Sequence, residues 1–141
     1  MAAEVKALFE GTWNECKAEN VEAFLTAVGI SEDRRKVILG MKATMKVEVN
    51  GDEICSTTFA GPNNEIKVTT KFILGKEFDV TEGEIPAKGT CSFLDGKLEA
   101  EIKPNDASKA IQTFIREIVN GELVQTMTAG GVTAKRTFTK A

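Results

Sequence analysis

Arg116, Gln125 and Arg136 are the residues whose types and spacing suggest chemistry, because a row of guanidinium and carboxamide groups is built to hold an anion. They lie in the stretch 111–138, IQTFIREIVNGELVQTMTAGGVTAKRTF, which Asn120-Gly121 and Gly130-Gly131 divide into three alternating runs. Such dipeptides suit the primed turns of two-residue hairpins, whose central residues need positive φ. Two-residue loops at both turns place Arg116 opposite Gln125 and Gln125 opposite Arg136. Directly opposed side chains share one sheet face at about 5 Å, so the three form a row across three strands. Phe114, Ile118, Leu123, Met127 and Phe138 fall on the same face by alternation.

Two readings of that face are open. Facing outward, it leaves both arginines solvated, the usual fate of a surface arginine. The opposite face is the more polar, with Thr113, Glu117, Thr126, Lys135, Thr137 and Thr139, although Ile115, Val119 and Val124 blur the contrast. The inward reading is therefore preferred. A buried guanidinium without a partner costs several kcal/mol, and the row itself supplies no acidic neighbour. The missing anion is expected to be a ligand.

Most other chemistry is excluded by composition. The chain has no histidine, which removes Ser-His and Cys-His nucleophile pairs and His-ligated metal. Cys16, Cys55 and Cys91 lack CxxC spacing and are odd in number, so no metal site and no disulfide frame is expected, and reduced thiols point to the cytoplasm. The carboxylate pairs Glu82 with Glu84 and Glu99 with Glu101 read as solvated surface. A formal net charge of −3 and a pI near 5.2 argue against nucleic acid as a partner. No apolar run reaches the roughly 20 residues a bilayer requires, and MAAEVKALFEG lacks the apolar core of a secretory signal. With 141 residues, one domain is expected, and it reads as a non-enzymatic binder without a cofactor.

The elements that must position the row follow from turn signals and periodicity. Residues 1–7 read as a short N-terminal extension, mobile or loosely docked. Within 20–40, Asn20 can cap a helix carrying Val21, Phe24, Leu25 and Val28 at i, i+3, i+4 and i+7, closed by Gly29. Ser31 opens a second helix with Glu32 and Asp33 in its first turn and Val37, Ile38 and Met41 as its stripe. Elsewhere only strand-like runs occur, with turns at Asn50-Gly51, Gly61-Pro62-Asn63-Asn64, Gly75, Gly83, Asp95-Gly96 and Pro104-Asn105, giving ten strands. Evenly spaced antiparallel strands remove their edges by closing. The fold class is all-β: a ten-stranded antiparallel up-and-down barrel with a helix-turn-helix between strands 1 and 2.

The sequence resembles the intracellular lipid-binding proteins, which include the cytosolic fatty-acid-binding and retinoid-binding proteins. Phe9-Glu10-Gly11-Thr12-Trp13 is similar to that family's opening, Val49-Asn50-Gly51-Asp52 to its first hairpin, and Phe72 to Asp79 to its mid-chain signature. The family holds a carboxylate with an arginine on the eighth strand, another on the tenth, and a tyrosine two residues later. The matching positions here are Arg116, Arg136 and Phe138, so the phenol is missing. The variant REIVNGELVQ with AKRTF looks most like the intestinal type, in which Arg116 and Gln125 would grip the carboxylate directly. Arg136 would then be a second direct donor or act through ordered water. Two positions depart from the pattern: Glu15, where an apolar residue is common, and Val21, where an aromatic is common.

The resemblance implies a cytoplasmic, monomeric carrier of long-chain fatty acids, or of another amphiphilic acid such as a retinoid, bile acid or eicosanoid. Phe24, Leu25, Phe114, Met127 and Phe138 would line the apolar pocket, with Phe59 as a portal aromatic. The helix pair would form a lid, and Arg34, Arg35 and Lys36 would either touch anionic membrane headgroups or form a solvated helix face.

Overall fold

A computed structural model of the chain describes residues 2–40, 42–60, 66–81 and 85–141. The elements in order are α1 (Ala2–Phe9), β1 (Gly11–Glu19), α2 (Val21–Val28), α3 (Glu32–Gly40), β2 (Thr44–Asn50), β3 (Glu53–Ala60), β4 (Ile66–Ile73), β5 (Phe78–Val80), β6 (Ala87–Leu94), β7 (Lys97–Pro104), β8 (Gln112–Val119), β9 (Glu122–Ala129) and β10 (Val132–Lys140). The strands form a single antiparallel sheet in the order β4-β3-β2-β1-β10-β9-β8-β7-β6-β5. Its two edges, β4 and β5, come together without a ladder among the described residues, so the barrel is nearly closed. Strict alternation of buried and exposed residues along β6 marks the inside and outside of its wall.

The two C-terminal hairpins have the expected register. Asn120 and Gly121 have φ of 53° and 80°, and Gly130 and Gly131 have φ of 54° and 78°, the positive values that a two-residue primed turn requires at both central positions. Arg116 pairs with Gln125, and Gln125 with Arg136. The shared face is inward: Leu123, Gln125, Met127, Ala134 and Phe138 are all buried.

Apolar packing is divided by that row. One cluster gathers Val5 and Phe9 of α1 with Trp13, Met45, Leu123 and Phe138. A second gathers Val21, Phe24 and Val28 of α2 with Met127, Ala129 and Ala134. On β9 Gln125 sits between Leu123 and Met127, and on β10 Arg136 sits between Ala134 and Phe138. The polar row is thus a layer between two oily ends.

Three local features differ from expectation. The N-terminal segment is no loose leader: α1 packs against β2, Val5 and Phe9 are fully buried, and the Phe9 carbonyl accepts a 2.9 Å bond from the Trp13 indole. Two large side chains four apart on one helix face suffice to dock it. Asn20 adopts a left-handed conformation and its side chain does not cap α2; its Nδ2 donates instead to the Thr133 carbonyl on β10 at 2.9 Å. Gly29 does close that helix, at φ 93°. In α3 no described residue is buried, so the stripe of Val37 and Ile38 is not matched by a packed face. Met41, the Gly61 to Asn64 turn, Gly83 and the Glu82/Glu84 pair lie outside the described residues. Among the described residues no helix is long and apolar enough to cross a membrane.

Candidate functional site

β8 carries Arg116 into the interior, where its Nε donates to Gln125 Oε1 at 2.7 Å and one terminal nitrogen donates to Ser56 Oγ of β3 at 2.9 Å. Both acceptors are neutral. The Gln125 amide nitrogen is in turn directed at Met127 Sδ, 3.3 Å away, which fixes its oxygen toward the arginine. Burial lowers the Arg116 guanidinium from its ordinary value to about 10, the Cys91 thiolate being the group that would raise it. That thiolate is not available near neutrality, because burial pushes the Cys91 thiol up to about 11. Among the described residues, then, Arg116 is a half-buried cation, enclosed by the barrel and facing its interior, with no charged partner.

Arg136 is in a different state. Its Nε and a terminal nitrogen donate to the two carboxylate oxygens of Glu15 at 2.7 and 3.2 Å, and both side chains are nearly buried, 12% and 7% exposed. The guanidinium lies 5.9 Å from the centre of the Phe138 ring, where the resembled family has tyrosine. The row therefore has an acidic neighbour after all, supplied from β1. Glu15 stands opposite Phe138 in the β1–β10 pairing, just before a bulge between Glu15 and Lys17, and from there its side chain reaches diagonally to Arg136.

These groups face a cavity of about 310 Å³. Phe24 and Leu25 of α2 reach it from one end, and Phe114, Met127 and Phe138 line it beside Arg116, Gln125 and Arg136. Phe24 and Phe114 meet edge to face with centroids 5.9 Å apart. Phe59 does not line it. Alternation on β3 turns Ser56, Thr58 and Ala60 inward and Phe59 outward, where Lys67 Nζ lies 5.9 Å from the centre of its ring.

On α3, Arg34 lines the cavity, Arg35 donates to the Ile30 carbonyl, and Lys36 pairs with Glu32 at 3.4 Å. The three cations are thus not one uniform face. Glu99 and Glu101 are both exposed. No cluster of ligating side chains suited to a metal occurs among the described residues.

Ser56 and Glu15 were not singled out as site residues from sequence. Ser56 meets Arg116 only across the barrel lumen, which no local pattern records. Glu15 did leave a signal: a carboxylate two residues after Trp13 shares its inward face.

A model of the Lipocalin / cytosolic fatty-acid binding protein family matches residues 10–141. The fold is that of the apo lipid binding protein 8 of Caenorhabditis elegans, at a TM-score of 0.89 and 22% identity over 96% of each chain. The fatty-acid-binding protein from brain tissue of Drosophila melanogaster is 27% identical, with a TM-score of 0.82 over 95% of this chain and 99% of that one. The fatty-acid-binding protein of Manduca sexta is 28% identical, with a TM-score of 0.76 over the same shares. The match of sequence pattern over nearly the whole chain, on this barrel, makes the chain a member of the lipocalin / cytosolic fatty-acid binding protein family.

Proposed function

We propose that the chain is a cytoplasmic, monomeric, non-enzymatic carrier that encloses a long-chain fatty acid and holds its carboxylate with Arg116 and Gln125. The observation that carries this reading is the Arg116 guanidinium enclosed by the barrel, bonded among the described residues only to neutral oxygens and facing an apolar cavity. An entering carboxylate would accept charge-assisted hydrogen bonds and supply the missing counter-charge together. The fatty-acid-binding relatives at 27 and 28% identity support the same ligand class.

The energetics divide the work between tail and head. Burying a methylene contributes roughly 0.8 kcal/mol, so the ~14 methylenes of a C16 chain offer about 11 kcal/mol. Ordering the chain and losing overall freedom offset several of these. The tail therefore supplies most of the affinity, and the head group sets orientation and selectivity.

Arg116→Ala is expected to weaken hexadecanoic acid by roughly ten- to a hundredfold, the worth of hydrogen bonds to a charged group. Hexadecan-1-ol should lose far less. Equal losses for acid and alcohol in a displacement titration would reject the role given to Arg116.

A further inference from the structure

The row across β8, β9 and β10 contains two guanidinium groups, apart from Arg34 of α3, which reaches the cavity from the helices; of these two, only one lacks a counter-charge among the described residues, and the difference is made by a single residue. Glu15 is saturated: Oε1 accepts from Arg136 and from the Ala43 backbone N–H at 2.9 Å, while Oε2 accepts from the Arg136 Nε. Its backbone N–H donates to the Ala43 carbonyl at 2.9 Å, so the residue is clamped to the chain entering β2 from both sides. Phe138 lies beside the guanidinium and offers no acceptor. Arg136 is thereby neutralised within the wall, while Arg116, two strands away on the same row, is not.

We propose that Glu15 is a specificity-determining residue, an internal carboxylate that occupies Arg136 and leaves the Arg116-Gln125-Arg136 row one uncompensated cation, so that a head group seated on the row is favoured when it bears one negative charge rather than two. Glu15 acts through Arg136 and is a positioning residue. The inference rests on Arg116 being the head-group site. A singly charged carboxylate neutralises that cation. A doubly charged head leaves one negative charge in a low-dielectric interior, and its second charge finds Arg136 already taken, with Glu15 repelling it at close range.

The test compares hexadecanoic acid with hexadecyl phosphate, whose second proton leaves near pH 6. On the unaltered protein, hexadecyl phosphate affinity should fall between pH 5 and pH 8 as the head acquires its second charge; a rise would overturn the proposal without any variant being made. At pH 8, Glu15→Gln should shift the ratio of phosphate to carboxylate affinity toward phosphate by roughly tenfold, the value of one charge-assisted hydrogen-bonded contact. Adding Arg136→Gln to Glu15→Gln should return the ratio to near that of the unaltered protein, which a general loosening of the barrel would not do. An unchanged ratio in Glu15→Gln, or a shift that persists in the double variant, overturns the role of Glu15. If hexadecanoate binding still depends on Arg116 in that case, only this inference fails; if Arg116→Ala leaves acid and alcohol equally affected, the head-group reading fails as well.

Discussion

At the scale of the residue, burial of Arg116 defines a pH window. Enclosure lowers its guanidinium from the ordinary value to about 10 in the folded protein. Between those values the unfolded chain binds more protons than the folded one, so the cost of enclosing this cation is fully present below about 10 and is relieved as pH rises through it. Carboxylate binding has the opposite dependence, because it needs the cation. Hexadecanoate affinity should be level from about pH 7 to 9 and fall above about 10, while Arg116→Ala should give a flat profile over that range. Fluorescent-probe displacement measures both.

The Arg116-Gln125-Arg136 row was legible because its register depends only on two hairpin turns, each announced by its own dipeptide. The pairing of Glu15 with Arg136 was not. It requires β1 to close against β10 in a register that sets Glu15 opposite Phe138, and period-two counting along one strand contains neither the partner nor the register. Phe59, expected as a portal aromatic, does not line the cavity for a related reason, since a motif fixes a position along a strand whereas alternation fixes the face.

At the scale of the element, α1 behaves as part of the barrel rather than as an appendage. Phe9 is fully buried and its carbonyl receives the Trp13 indole N–H, so the helix is tied to β1 by packing and by a hydrogen bond. Phe9→Ala should destabilise the protein by about 3–5 kcal/mol, the usual cost of emptying a large buried aromatic site. Urea unfolding followed by tryptophan fluorescence would detect it, and a change under about 1 kcal/mol would mean that the site collapses around the gap. The sequence hid this helix because eight residues are too few for a periodic pattern, and exposed Leu8 next to buried Phe9 obscures the stripe. The helix pair α2 and α3 was legible through Gly29 and the stripe of α2. What periodicity could not convey is that α3 buries none of its described side chains.

At the scale of the molecule, strand number and closure were readable from evenly spaced turns, because an up-and-down order makes sequence neighbours into sheet neighbours. The β4–β5 seam was not, since nothing in either strand records which partner it fails to meet. A thinly packed α3 beside a well-packed α2 makes this end of the barrel the part that opens at least cost. Replacing residues 20–40 by a short linker should accelerate ligand dissociation. Stopped-flow transfer to vesicles reads the rate, and an unaltered rate would remove the helices from the exit route.

The seating of α1 has one further consequence. By stoppering its end of the barrel with Phe9 and Val5, it turns a tube into a cup. With that end filled, a guest that enters past the helices departs by retracing its entry. Delivery by such a vessel is a matter of tipping at the rim: whatever loosens the helices there governs loading and unloading alike, and the two rates should rise and fall together.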